Sequence, residues 1–236
     1  MPEIFRFKQF NIKQNPKVFK IGTDGVLLGC LAEVSQAQNI LDIGTGTGLL
    51  ALMCAQKNPQ ARITALDSEA EAVKTAKENA KASPFASRIS VIHTELDNFT
   101  SPDFFEYIIC NPPYFQKSEL LHQKHPMARC QLTLSYDMLL RKSSEMLSEN
   151  GLAGIIFPFE EEQNVLDLAE KYGLFPQKIV RIAGIRNGKI RRTFLEVSKK
   201  RNALIMRDLY IEETPRIWSE EYKKLTSEFY LKPDEN

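Results

Sequence analysis

From residue 39 onward, short apolar runs alternate with amphipathic stretches, and that alternation predicts strand and helix in turn. "NILDIG" (39–44) reads as a buried strand and "GLLALMCAQKN" as the helix after it. "RITALD" (62–67) predicts a second strand, and "SEAEAVKTAKENAKAS" a helix whose start is set by Ser68 and Glu71 at capping-box spacing. "RISVIH" (88–93) and "YIICN" (107–111) predict the third and fourth strands. A helix over about 134–149 stops before Gly151, "LAGIIFP" (152–158) is a fifth strand, and a further helix reaches about Tyr172. Strands near 176–183 and 193–199 suit an antiparallel pair across the basic loop "GIRNGKIRR". The tail "YIEETPRIWSEEYKKLTSEFYLK" predicts one more short strand and a C-terminal helix. Repetition of this kind packs a mostly parallel sheet between two helical layers, with the hairpin as a mixed edge. No linker divides the chain. The expected organisation is one α/β domain, with a segment at 1–38, a core at 39–200 and a strand and helix at 201–236.

Composition narrows the class. A hydrophobic content of 43% is ample for a buried core. No apolar run approaches the roughly 18–20 residues that span a bilayer, and "MPEIFRFKQF" has no signal-peptide character, so a cytoplasmic protein is expected. Cys30, Cys54, Cys110 and Cys130 are far apart with no C-x-x-C, which argues for buried thiols and against a metal site. The net charge of +1 conceals an asymmetry, because nine basic residues between Lys178 and Arg201 face a single acid, Glu196. Residues 4–23 add Arg6, Lys8, Lys13, Lys17 and Lys20 with no acid at all. Two such segments suggest a surface for a polyanion, with Lys8, Lys189, Arg191 and Arg192 as candidate contacts.

The chemistry concentrates at two strand ends. "LDIGTGTGLL" (41–50) sets Gly44, Gly46 and Gly48 between the first strand and its helix, where glycines permit tight turns and close ligand approach. The dinucleotide fingerprint G-x-G-x-x-G fails at Leu49, and no P-loop pattern is present. Asp67, closing the second strand, can accept hydrogen bonds from ribose hydroxyls, cap the next helix, or do both. Asp42 is placed to hold a cationic amino-acid portion of a ligand. Together they suit S-adenosylmethionine, although many nucleotide folds share a glycine turn with an acid.

"IICNPPYF" (108–115) is more specific. Proline cannot continue a central strand, so the chain leaves the sheet at Asn111 through a stiff elbow. The exocyclic amine of a nucleobase is a poor nucleophile because its lone pair is delocalised into the ring. Acceptors on both of its N–H groups, the Asn111 side-chain oxygen and the Pro112 carbonyl, would localise that pair as the nitrogen becomes tetrahedral. Pro112 and Pro113 restrict the backbone, and Tyr114 offers a face on which an extruded base stacks.

These motifs resemble the class I S-adenosylmethionine-dependent methyltransferases of the Asn-Pro-Pro-Tyr group. The nearest likeness is to the bacterial tRNA1(Val) adenine-N6 methyltransferases, which act on the adenine beside the anticodon. "FRFKQF" (5–10) with "KIGTDGVLLG" (20–29), "LDIGTGTGLLALM" (41–53), "IICNPPYF" and "EYKKLTSEFYLK" (221–232) carry the resemblance along nearly the whole chain. It implies a Rossmann-like fold with a mostly parallel seven-stranded sheet and an antiparallel edge hairpin, S-adenosylmethionine as cofactor and tRNA as partner. It implies no metal and no membrane, and leaves the oligomeric state unknown, with a monomer assumed. It places Lys20, Thr23, Asp24 and Gly25 over the cofactor pocket. It also places Glu95, in preference to Asp97, where the family has an aspartate on the cofactor adenine. His93 is expected to be a strand-end core residue. His122 and His125, with Lys117, Lys124 and Arg129, fall in a segment that faces substrate in the family. A protein glutamine N5-methyltransferase, an rRNA guanine-N2 methyltransferase and an inactive RNA-binding module are the alternatives.

Overall fold

The computed structural model describes residues 3–112 and 134–231. Pro113, Tyr114, Lys117, His122, Lys124, His125, Arg129 and Cys130, to which the sequence gives roles, lie outside the described residues. The chain opens with a hairpin of β1 (Ile4–Arg6) and β2 (Asn11–Lys13), then α1 (Thr23–Leu31). β3 (Asn39–Ile43), α2 (Leu49–Lys57), β4 (Arg62–Asp67), α3 (Ala70–Lys81), β5 (Ile89–His93) and β6 (Phe105–Cys110) follow. After the undescribed segment come α4 (Tyr136–Met146), β7 (Leu147–Pro158), α5 (Glu162–Lys171), β8 (Phe175–Ile185) and β9 (Ile190–Ser198). β10 (Ile205–Thr214), β11 (Ile217–Trp218) and α6 (Glu220–Thr226) complete it.

The main sheet runs β11-β10-β8-β9-β7-β6-β3-β4-β5. β5, β4, β3, β6 and β7 are mutually parallel, and β9 is antiparallel to both β7 and β8. The chain builds outward from β3 through β4 to β5, then returns to β3's other side with β6 and β7. Such a reversal opens a crevice at the carboxyl ends of the two strands it separates, here β3 and β6. Each face of the sheet buries its own core. One contains Val26, Leu27 and Leu28 of α1 with Leu50 and Met53 of α2. The other contains Leu139 and Leu140 of α4 with Val165 and Ala169 of α5. α1 is buried along Gly25–Leu31 and α2 along Leu49–Ala55, which is why neither shows a polar stripe.

Four expectations need correction. The sheet has nine strands rather than seven, because β10 pairs in parallel with β8 and β11 extends it further. The β8–β9 hairpin is therefore interior and not at the edge. β10 begins at Ile205, ahead of the short strand expected from Tyr210, because its start at 205–208 is exposed and forms no buried apolar run. The helix expected to 149 ends at Met146, and β7 begins at Leu147, with an irregularity where Phe105 pairs Leu147 but Tyr107 pairs Leu152. The proposed capping box at Ser68 and Glu71 is absent: Glu69 occupies the cap position with no side-chain cap bond. Asp67 serves this end instead, its Oδ1 accepting from the Glu69 N–H at 2.9 Å.

Candidate active site at the carboxyl edge of the sheet

Strand register sets the site. Ile43 pairs with Cys110 on one side and Leu66 on the other, and Asp67 pairs with His93. Gly44, Asp67, His93 and Asn111 therefore leave the sheet at one level, from strands about 4.8 Å apart. The turn after β3 is built on three left-handed glycines, Gly44 (φ 71°), Gly46 (φ 57°) and Gly48 (φ 86°), a conformation that costs other residues energy. A Cβ on Gly48 would stand in contact with α3, 3.4 Å from the Ala76 Cα.

Two carboxylates hold this turn. The Gly46 N–H donates to Asp67 Oδ2 at 2.9 Å, so each Asp67 oxygen already accepts one backbone hydrogen bond and keeps a lone pair for a ligand hydroxyl. Of the roles the sequence left open, the structure shows the one at the start of α3, and it adds the tether to the glycine turn. Burial pushes its carboxyl above the ordinary range. Asp42 is fully buried, and its Oδ2 accepts from the Thr45 hydroxyl at 2.6 Å and the Ala51 N–H at 3.1 Å. Its Oδ1 is buried with no hydrogen-bond partner among the described residues. Burial pushes the Asp42 carboxyl up to about 7, with those two bonds opposing. A buried carboxylate oxygen awaiting a partner beside a glycine turn fits a cationic, nucleoside-bearing cofactor.

Asn111 follows the last residue of β6 and is half-buried, with Pro112 buried behind it. α1 closes over it: a Cβ on Gly25 would meet Leu49 Cδ2 at 2.9 Å and Asn111 Nδ2 at 3.6 Å. Leu134 reaches the same crevice from the start of α4, its Cδ2 being 3.9 Å from where a Gly44 Cβ would stand. The opening segment thus folds back over the sheet as the resemblance implies. Its side chains do different things, however. Lys20 pairs with Glu3 at 3.2 Å, Thr23 is exposed at the first turn of α1, and Asp24 pairs with Arg192 at 2.7 Å. Leu134 and the Asp24–Arg192 pair left no signal in the sequence, since only the fold brings them to the crevice.

On the adenine side, Asp97 is engaged by Arg141 at 2.9 Å, while Glu95 is exposed at the cap of a short 3-10 turn. Of the two acids, Asp97 is thus the one paired with a cation of α4. His93 is exposed, with Nε2 2.9 Å from the Ser68 carbonyl, so its expected place in the core is wrong. β5 is an edge strand with exposed positions on both faces, and alternation alone did not reveal that.

The basic stretch divides. β9 is antiparallel, so Lys189, Arg191 and Arg192 sit at the catalytic edge whereas Lys199, Lys200 and Arg201 emerge at the far edge, about 25–30 Å away by strand rise. Carboxylates meet much of the charge: Glu196, within the stretch, pairs with Lys178, and from elsewhere come Glu162 for Arg181, Glu213 for Arg186, Glu160 for Lys189 and Glu170 for Arg201. Lys8 donates to the Ser227 carbonyl at 2.7 Å, on a hairpin packed against the C-terminal segment rather than at Asn111. Among the described residues no group of His, Cys, Asp and Glu is arranged to hold a metal ion, and no helix is long and apolar enough to cross a membrane. Cys30, Cys54 and Cys110 are buried free thiols.

Residues 12–156 match the family described as methyltransferase small domain. A tRNA1(Val) (adenine(37)-N6)-methyltransferase of Flavobacteriaceae bacterium strain 3519-10 is 40% identical over 96% of this chain and 97% of its own length. One of Bacteroides thetaiotaomicron is 39% identical over 96% and 97%, and one of Vibrio parahaemolyticus 38% over 97% and 95%. Among solved structures, a predicted O-methyltransferase from Agrobacterium tumefaciens superposes with a TM-score of 0.70 at 18% identity, covering 87% of this chain and 96% of its own. A methyltransferase from Pyrococcus furiosus gives 0.61 at 18% identity, covering 81% and 90%. Both share the Rossmann-like class I methyltransferase fold.

Proposed function

Because the chain belongs to the family of bacterial tRNA1(Val) (adenine(37)-N6)-methyltransferases, we infer that it methylates N6 of adenine-37 in that tRNA, using S-adenosylmethionine. The observation that carries the chemistry is Asn111–Pro112 leaving β6 at the level of the glycine turn, beside a buried Asp42 oxygen with no partner among the described residues. The cofactor supplies a methyl group made electrophilic by its sulfonium. Asp67 receives the ribose hydroxyls, Gly44, Gly46 and Gly48 admit the cofactor close to the backbone, and Glu95 takes the adenine amine. Asp42 offsets the cationic end, and Gly25 lets α1 cover Asn111. The Asn111 side-chain oxygen and the Pro112 carbonyl would accept from the two N–H groups of the target amine and localise its lone pair. The motif assigns Pro113 to stiffening the elbow and Tyr114 to stacking the extruded base. No protein base is required, since the amine proton becomes acidic once nitrogen is alkylated and passes to solvent. The chain works as one catalytic unit, from the covering segment 1–38 through the core to the strand and helix of 201–236, in the cytoplasm.

Mass spectrometry of nucleosides from tRNA incubated with enzyme and cofactor should show N6-methyladenosine at the position beside the anticodon. Methylated guanine, or methylation of a protein glutamine in place of tRNA, would overturn this function.

Asp42 gives the cofactor step a pH signature. Its folded pKa of about 7 stands above the ordinary carboxylate value of 3.8, so between those values the folded protein holds a proton that the unfolded chain has lost. Stability of the free protein therefore falls as pH rises through that window. A cationic ligand favours the ionised carboxylate, so cofactor binding should release a proton and weaken as pH falls below about 7, by up to about tenfold per unit. Calorimetry from pH 8 to 6 should show that slope in the wild type and lose it in Asp42→Asn. A flat wild-type profile would remove Asp42 from the cationic end.

A further inference from the structure

α3 buries Ala72, Thr75, Ala76 and Asn79 on its inner face, and Ala76 is the residue that meets Gly48 of the glycine turn. One helical turn beyond Ala76, Asn79 is 3% exposed and makes three hydrogen bonds. Its Oδ1 accepts from the Lys13 N–H at 3.0 Å, and its Nδ2 donates to the Lys13 carbonyl at 3.2 Å and the Thr47 carbonyl at 2.9 Å. One donor and two carbonyl partners admit a single orientation of the amide. β2 belongs to a two-stranded sheet and so has an open edge, with which the Asn79 amide pairs as a neighbouring strand would. Thr47 lies between the left-handed Gly46 and Gly48. Beyond Lys13 the link runs on toward the crevice. The next residue, Gln14, is buried, and its Oε1 accepts from the Ile21 N–H at 3.1 Å, one residue before the Gly22 that caps α1. Alongside, Asn15 Nδ2 donates to Thr75 Oγ1 at 3.0 Å, and Val18 Cγ1 is 3.9 Å from where a Gly46 Cβ would stand.

We propose that Asn79 is a positioning residue for the cofactor, acting through Thr47 and Lys13 to hold the glycine turn and the covering segment in one arrangement. This rests on the use of S-adenosylmethionine inferred above. A turn rich in glycine has little shape of its own, so contacts from outside must impose it. Three consecutive residues are held in this way: Thr45 by Asp42, Gly46 by Asp67 and Thr47 by Asn79. Without the Asn79 amide the Thr47 carbonyl is released at one end and β2, which leads to the cover of the crevice, at the other. The free protein then samples more arrangements, and affinity falls in proportion to the fraction that can bind. Asn111 is not on this path. The loss should therefore fall on cofactor binding and not on turnover at saturating cofactor.

The test is calorimetry with S-adenosylmethionine and tRNA methylation kinetics for Asn79→Ala and Asn79→Asp, with Asn58→Ala as the reference. Asn58 is as deeply buried and donates to the Val34, Ser35 and Ala37 carbonyls, but it caps the end of α2 at the amino edge of the sheet, away from the crevice. Asn79→Ala should raise the cofactor Kd about tenfold, and Asn79→Asp at least as much, because a carboxylate oxygen would face two carbonyls. In both, kcat at saturating cofactor and KM for tRNA should stay within about twofold. Asn58→Ala should lower the melting temperature yet leave the cofactor Kd within about twofold. The wild type offers a readout that needs no variant: saturating cofactor should slow amide exchange across residues 11–14 at least about threefold. Cofactor affinity unchanged in both Asn79 variants, or weakened equally in Asn58→Ala, would overturn the proposal by leaving Asn79 a role in stability alone. So would exchange at 11–14 that ignores the cofactor. A wild-type protein that does not bind S-adenosylmethionine would overturn the cofactor reading, and the proposal with it.

Discussion

Replacing Asn111 with alanine is expected to lower turnover at least about 100-fold while leaving cofactor affinity within about twofold. Asn111 lies at the exit of β6, one strand away from the glycine turn, so its side chain belongs to the substrate side of the crevice. An acceptor there matters most as the amine becomes tetrahedral, and interactions that grow in the transition state appear in kcat rather than in ground-state binding. The shape of the site should survive, because the half-buried amide is flanked by buried Pro112 and by α1. Single-turnover rates with saturating cofactor and tRNA test this directly. Wild-type turnover in Asn111→Ala would show that the amide does not activate the amine. A matched loss of cofactor affinity would show that it helps to build the cofactor pocket instead.

The second large effect belongs to Asp67. Asp67→Ala should weaken cofactor binding by about 1.5–3 kcal/mol, roughly ten- to 150-fold, the range for losing a charged hydrogen-bond partner. The structure adds a second cost. The Gly46 and Glu69 N–H groups both lose their acceptor, so the glycine turn and the start of α3 loosen together. Asp67→Asn separates the two contributions, since an amide keeps the volume but turns a donor toward one of those N–H groups. It should therefore also bind cofactor poorly, with a smaller loss of thermal stability than the alanine variant. Unchanged affinity in Asp67→Ala, measured by calorimetry, would remove this carboxylate from the cofactor site.

The strands that carry the site are legible in the sequence. β3, β4 and β6 are short apolar runs that end at chemically unusual residues, glycines, an acid and an Asn-Pro step, and each of those facts is local. Burial on both faces makes such strands continuous in hydrophobicity, and proline ends them by removing a backbone donor. Asp67 and Asn111 could thus be picked from single stretches, as could the cofactor class. The start of α3 was misplaced because Ser68 and Glu71 have the right spacing for a cap, while the competing Asp67 bond to Glu69 depends on where β4 ends.

What only the tertiary structure decided is which distant residues share a neighbourhood and what charge each retains there. Nine cations within one stretch look like a patch in sequence, yet an antiparallel strand carries residues eight apart to opposite edges of the sheet. Acids from α5 and β10 then meet several of them, and no reading of local charge could foresee those partners. The start of β10 at Ile205 and its parallel pairing likewise arise only because β8 offers it a hydrogen-bonding edge, which the exposed residues at 205–208 do not announce. The same limit applies to Asp24 and Arg192. Backbone conformation and the burial of apolar runs are set by neighbours along the chain, so sequence determined the strand ends, the glycine turn and the elbow. Ion pairing and strand adjacency are set by neighbours in space, and they emerge only when the sheet is assembled.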